Sequence, residues 1–210
     1  MIRFVTAFVK ITGFLPQLVC FRTKITYRDK KAQSRRIKGS AIVVSNHTSL
    51  YDYAVLLFVF FWRVLRTQMA EVLFRKKLLG WFLKGMGGIY VDRDSHDMGF
   101  VQKSLAILEK GGVVCVFPEA RLPRKGEERP LPFQTSATYL ALESGAPIIP
   151  VYTNGSYFQK RRARVRIGTP IDARALWNAD EDEKTNLMRI TGVVRRTVIE
   201  LGNELERERA

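Results

Sequence analysis

The 210-residue chain is 46% hydrophobic and 26% charged, a balance that excludes a disordered chain and fits one domain with a real core. Its 35 Lys and Arg against 20 Asp and Glu leave a formal charge of +15. Such an excess points to anionic partners: nucleic acid, anionic lipid headgroups or phosphorylated substrates.

Residues 1–21 are apolar but carry Arg3, Lys10 and Pro16. A spanning helix takes about 20 apolar residues in a row, and Pro16 cuts this run short. A signal peptide's small-residue cleavage site is missing. The segment reads as a helix lying in the membrane interface, with Arg3 and Lys10 toward headgroups. The alternative is a helix packed on the core. Residues 22–210 follow as a single domain, opening with a basic, irregular connector over 22–40.

Ala41-Ile42-Val43-Val44 predicts a buried strand leading into Ser45-Asn46-His47-Thr48-Ser49-Leu50-Tyr51-Asp52, a turn that opens the helix running through Trp62. Thr67–Ala70 reads as a second strand. Leu73–Met86 reads as one basic, aromatic helix suited to a membrane surface, an acyl-chain groove or burial on the sheet. Gly87-Gly88 ends it, and Ile89-Tyr90-Val91 makes a short strand before Asp92-Arg93. Met98, Val101, Leu105 and Leu108 mark a helix, and Val113–Phe117 a central strand. A polar loop spans 122–132 and a helix about 134–144. Strands follow at 147–151 and 164–167. The last helix opens on Asp180, Glu181 and Asp182, with an apolar stripe from Leu187 to Leu205. Strands alternating with helices give an α/β class: a single layered domain, its sheet mixed but mostly parallel, flanked by helices.

Cys20 and Cys115 are too few and too far apart for a disulfide framework, which suits a reducing, cytosolic compartment. Cys115 reads as a core residue. No Gly-x-Ser-x-Gly elbow is present, which disfavours a serine hydrolase. The second histidine, His96, lies in a polar stretch with no Cys/His cluster, so neither metal nor cofactor is expected.

Chemistry gathers at strand ends: His47 with Asp52, Asp92-Arg93, and Glu119 with Arg121. A neutral imidazole beside a carboxylate can take a proton from a hydroxyl, the carboxylate fixing its tautomer. Arg93 and Arg121 offer forked donors suited to phosphate. Glu119 binds substrate or orients Arg121; both readings stand. Together these suggest a phosphorylated alcohol attacking an activated acyl group; backbone N–H groups near the turn are candidate oxyanion donors.

Asn46-His47-Thr48-Ser49-Leu50-Tyr51-Asp52 resembles the Asn-His-x4-Asp block of the glycerolipid acyltransferases, specifically the 1-acyl-glycerol-3-phosphate acyltransferases. Gly88–Arg93, Phe117–Arg121 and Ala146–Val151 resemble the family's other three blocks, in order. The resemblance implies His47 and Asp52 as the catalytic dyad, with Asn46, Arg93, Glu119 and Arg121 on the substrate side. It implies transfer of a fatty acyl group from acyl-CoA or acyl carrier protein to a lysophospholipid, most naturally lysophosphatidic acid, on the cytoplasmic face of an anionic membrane. Nucleic acid is not an implied partner. Alternatives are another acceptor, such as glycerol-3-phosphate, or a non-catalytic protein that binds anionic membrane. Ala120 departs from the family's usual glycine. A lysine often found after the second strand is also missing at Met69-Ala70-Glu71.

Overall fold

The strand Ala41–Ser45 is wholly buried, and its consecutive residues feed two different apolar clusters. In chain order the elements are α1 (Ile2–Thr12), α2 (Phe14–Cys20), β1 (Lys24–Tyr27), β2 (Ala41–Ser45), α3 (Asp52–Val59) and β3 (Leu65–Ala70). Next come α4 (Glu71–Phe74), α5 (Lys77–Gly85), β4 (Ile89–Val91), α6 (Gly99–Glu109) and β5 (Val113–Val116). The chain ends with α7 (Ser136–Ser144), β6 (Ile148–Thr153), β7 (Arg164–Ile167) and α8 (Glu183–Arg207). This computed structural model describes residues 1–92, 98–158 and 162–208.

The strands form one seven-stranded sheet in the order β1-β7-β6-β2-β5-β3-β4. Every pairing is parallel except β6 with β7. Parallel strands need crossovers, which here are helices covering both faces. Ala41, Val43, Val113 and Cys115 pack on one face against Val55, Leu56, Val59 and Phe60 of the α3 region. Ile42, Val44, Val114 and Val116 pack on the other against Val101 and Leu108 of α6, Leu140 of α7, and Ile190 and Val194 of α8. The period of two therefore splits a continuous apolar run between two cores. The expected α/β class and mostly parallel sheet are as observed.

Five local differences have physical causes. Residues 1–21 form two helices bent by 51°. The break falls at Gly13, a poor helix former, while Pro16 sits in the first turn of α2, where its missing N–H costs nothing. Lys10 does not reach toward headgroups. It is 4% exposed, and its Nζ donates to the carbonyls of Phe61 and Arg63 at 2.7 and 2.6 Å, just past the end of α3.

The basic connector contains β1, whose parallel partner β7 lies far ahead in the sequence. Arg28, in the same connector, pairs with Glu200 and Glu204 of α8. The helix expected over 73–86 is two helices, α4 and α5, joined through an extended Lys76. They lie so close that a Cβ on Gly80 would stand 2.6 Å from the carbonyl oxygen of Phe74.

The stripe of α8 buries Ile190, Val194, Val198, Leu201 and Leu205, with Asn186 rather than Leu187 at its start. Asn186 is held by the carbonyls of Asn178 and Glu181, and Asp182 caps the helix by accepting from the Thr185 N–H at 2.8 Å.

Candidate active site at the carboxyl ends of β2, β5 and β6

The three central parallel strands, β2, β5 and β6, end on the same edge, where open α/β sheets gather their functional groups. His47 leaves β2 there, and Asp52 opens α3 five residues later. Asp52 is fully buried, so its oxygens need partners. Oδ2 accepts the backbone N–H groups of Thr48 at 2.6 Å and Ser49 at 2.8 Å, and meets Nδ1 of His47 at 2.9 Å. Oδ1 accepts the hydroxyls of Thr48 at 2.9 Å and Tyr157 at 2.5 Å. A carboxylate held this firmly can only accept from the ring, which favours the tautomer with its proton on Nδ1 and Nε2 as the acceptor. The ring stacks on Phe117, with centroids 4.4 Å apart and planes 23° off parallel.

Glu119, at the end of β5, is 4% exposed. Its two oxygens accept the backbone N–H of His47 at 2.7 Å and of Leu131 at 2.8 Å. Burial lifts its carboxyl above the usual range, against the pull of these donors. Asn46 exchanges two hydrogen bonds with the backbone of Thr153, at 2.9 and 2.8 Å, which ties the end of β2 to the end of β6. Both side chains therefore hold the turn that carries His47.

The residue after Glu119 is also informative. Ala120 has φ +58°, the left-handed region that a glycine enters at no steric cost. Gly155, at φ +66°, lies so close to the turn that a Cβ there would stand 2.6 Å from Oγ1 of Thr48.

Arg121 is not turned toward the dyad. Its side chain is 46% exposed, and its guanidinium grips Glu127 with two bonds of 2.7 and 2.8 Å. That pairing pulls the Glu127 carboxyl down to about 2. Arg93 lies outside the described residues. The N–H groups of His47, Thr48 and Ser49, expected near an oxyanion, are already given to carboxylates.

Of the residues singled out in the sequence, the structure brings His47, Asp52, Asn46 and Glu119 together, with Asn46 and Glu119 bonded to backbone groups. Sequence reasoning missed Thr48, Phe117, Thr153 and Tyr157. Thr48 and Phe117 lie inside motif blocks and could have been suspected. Tyr157 carries no local signal, because its partner is 105 residues away.

Comparison with known proteins places the chain in a family. A family model described as Acyltransferase matches residues 24–154. A 1-acyl-sn-glycerol-3-phosphate acyltransferase of Bacillus subtilis is 27% identical over 139 residues, which are 64% of this chain and 67% of that protein. One from Limnanthes alba is 29% identical over 156 residues, covering 72% of this chain and 54% of that protein. The chain thus spans about two thirds of the bacterial relative and about half of the plant one. The crystal structure of the LPA acyltransferase PlsC from Thermotoga maritima superimposes with a TM-score of 0.64 over 96% of this chain and 79% of that one. At 20% identity, that likeness is one of fold.

Proposed function

Because this chain belongs to the Acyltransferase family, we propose that it moves a fatty acyl group from an acyl thioester to the free hydroxyl of a lysophospholipid, with 1-acyl-glycerol-3-phosphate as acceptor. The observation that carries the reading is the 2.9 Å contact between His47 Nδ1 and the buried carboxylate of Asp52. The names of the curated relatives support this acceptor.

In this scheme Nε2 of His47 takes the acceptor's hydroxyl proton as its oxygen attacks the thioester carbonyl. Asp52 stabilises the imidazolium that forms, without taking the proton itself. The tetrahedral intermediate collapses by breaking the carbon–sulfur bond. The departing thiolate recovers the proton from His47, so the cycle closes without a covalent enzyme intermediate. Acyl-CoA and acyl carrier protein both supply the required thioester. Arg93 and Arg121 are the cations assigned to the acceptor phosphate, and Arg121 must leave Glu127 to serve.

A membrane seat forms part of the proposal. The amphipathicity of α1 is inverted: Thr6 and Lys10 face the body, while Phe4, Phe8 and Ile11 face outward. Leu15 and Val19 of α2 and Leu78 and Trp81 of α5 extend the exposed apolar surface. α1 touches α2 and α5. No single described helix is long and apolar enough to cross a membrane. A patch of this kind fits the interface of an anionic bilayer.

The test is transfer from labelled acyl-CoA and acyl carrier protein to a panel of lysolipids, comparing the native chain with His47→Ala. Loss of product with the variant, and lysophosphatidic acid as best acceptor, are expected. Full activity without His47 removes the base assignment. For the membrane seat, Phe4→Ser with Leu15→Ser should reduce vesicle sedimentation without unfolding the chain; unchanged partitioning refutes it.

A further inference from the structure

Tyr157 lies in the segment between β6 and β7, outside every motif block. Its ring is buried, edge-on to Phe21 at 5.5 Å and to Tyr51 at 6.5 Å. The hydroxyl stands 2.5 Å from Asp52 Oδ1 and 2.7 Å from Thr153 Oγ1. Burial beside Asp52 pushes the phenol well above its ordinary range, so it keeps its proton. Asp52 can only accept, so the Tyr157 proton points to Oδ1, and Thr153 in turn donates to the phenol oxygen. A chain of hydrogen bonds thus runs from β6 through Tyr157 to the carboxylate that orients His47, each link polarising the next.

We propose that Tyr157 is a positioning residue for the acyl transfer: its hydroxyl locks the plane of the Asp52 carboxylate and draws charge off it, which sets how strongly Asp52 stabilises protonated His47. The proposal rests on the reading of His47 as general base.

A donor on Oδ1 weakens the field that Asp52 presents through Oδ2. Removing it leaves more negative charge facing the imidazole and raises the basicity of His47. Among the described residues, titratable groups near His47 and Tyr157 include Asp52 from α3, Glu119 and Cys115 from the β5 region, Tyr51, and Tyr157 itself. Of these, Tyr157 is the one that donates a side-chain proton to Asp52 while its phenyl ring holds an independent packing position.

The experiment is the pH profile of kcat and kcat/KM for full-length Tyr157→Phe, which keeps the ring and removes the oxygen. Its acid limb should move up by about 0.5–1 pH unit, with kcat lowered about 5–10-fold and the acceptor KM nearly unchanged. Ionisation of the substrate phosphate affects native and variant equally and cancels in the comparison. Thr153→Val removes the hydroxyl that feeds Tyr157 while leaving the backbone clamp to Asn46, and should shift the limb the same way by less.

If Tyr157→Phe does not fold, Thr153→Val carries the test alone. Superimposable acid limbs in the variants that fold overturn the proposal, as does a loss of rate uniform across pH. His47→Ala separates the two ideas: activity without His47 defeats the base reading, whereas an inactive His47→Ala with unshifted Tyr157→Phe profiles defeats the Tyr157 proposal alone.

Discussion

Oδ2 of Asp52 meets Nδ1 of His47 at 2.9 Å and also accepts the N–H groups of Thr48 and Ser49. One carboxylate therefore shapes the turn, opens α3 and orients the imidazole. Asp52→Asn keeps the size but removes the charge and one acceptor. We expect kcat to fall about 10³–10⁴-fold, with the acceptor KM changed far less. Steady-state kinetics with circular dichroism checks this; activity within tenfold of native shows that the carboxylate is not needed for the chemistry.

Ala120, at φ +58°, holds a conformation that costs an L-residue about 1–2 kcal/mol. Ala120→Gly should relieve it, offset in part by the extra freedom of the unfolded chain. A net gain of about 0.5–1 kcal/mol in stability follows. Ala120→Val should lose more than that, because branching at Cβ makes the left-handed region worse. Urea titration measures both, and a glycine variant less stable than native contradicts the assignment.

In the proposed scheme, where Arg121 holds the acceptor phosphate, Glu127 is its competitor: the two side chains are paired at 2.7 Å. With its carboxyl pulled down to about 2, Glu127 remains ionised at any pH where the enzyme works, so acid does not free the arginine. Glu127→Gln should do so, lowering the KM for a phosphorylated acceptor about 1.5–5-fold, a typical worth for one exposed charge pair. An acceptor without phosphate should show no change. If the KM for both acceptors is unchanged, Arg121 is not a phosphate ligand.

Lys10 gives a pH-dependent prediction. Burial pulls its ammonium from 10.5 to about 8. Between those values the folded chain holds fewer protons than the unfolded chain, so Lys10's contribution to stability grows as pH rises from 8 to 10.5. Below 8 both states are protonated and the contribution is flat. The gain is at most about 3 kcal/mol, reduced by the carbonyls that favour the charged form. Lys10→Met should cost about 1–3 kcal/mol at neutral pH by leaving carbonyls unbonded. Its deficit in Tm should widen from pH 8 to 10; a constant deficit refutes the shift.

Much of the architecture was legible in the chain. The apolar run at 41–44 and the alternation at 164–167 are local patterns, and both strands lie where those patterns put them. The start of the helix at Asp52 was legible as well, since its apolar residues and its acidic start are neighbours in sequence, though it ends at Val59 rather than running through Trp62. β1 was hidden because Lys24–Tyr27 is only partly buried, and its strand character depends on β7 lying alongside. The joint between α4 and α5 was equally hidden, because packing of backbone on backbone leaves no periodic signature.

By itself the sequence determined the sheet strands that bury on both faces, the His47–Asp52 spacing at a strand end, and the order of the motif blocks. Each follows from side-chain period and short-range geometry. Only the tertiary structure decided what those groups touch. It turned Asn46 onto Thr153, Glu119 onto the backbone of His47, and Lys10 onto the carbonyls just past α3. It also brought Tyr157 to Asp52. The reason is that a buried polar atom takes whichever partner the fold delivers, and crossovers deliver partners from anywhere in the chain.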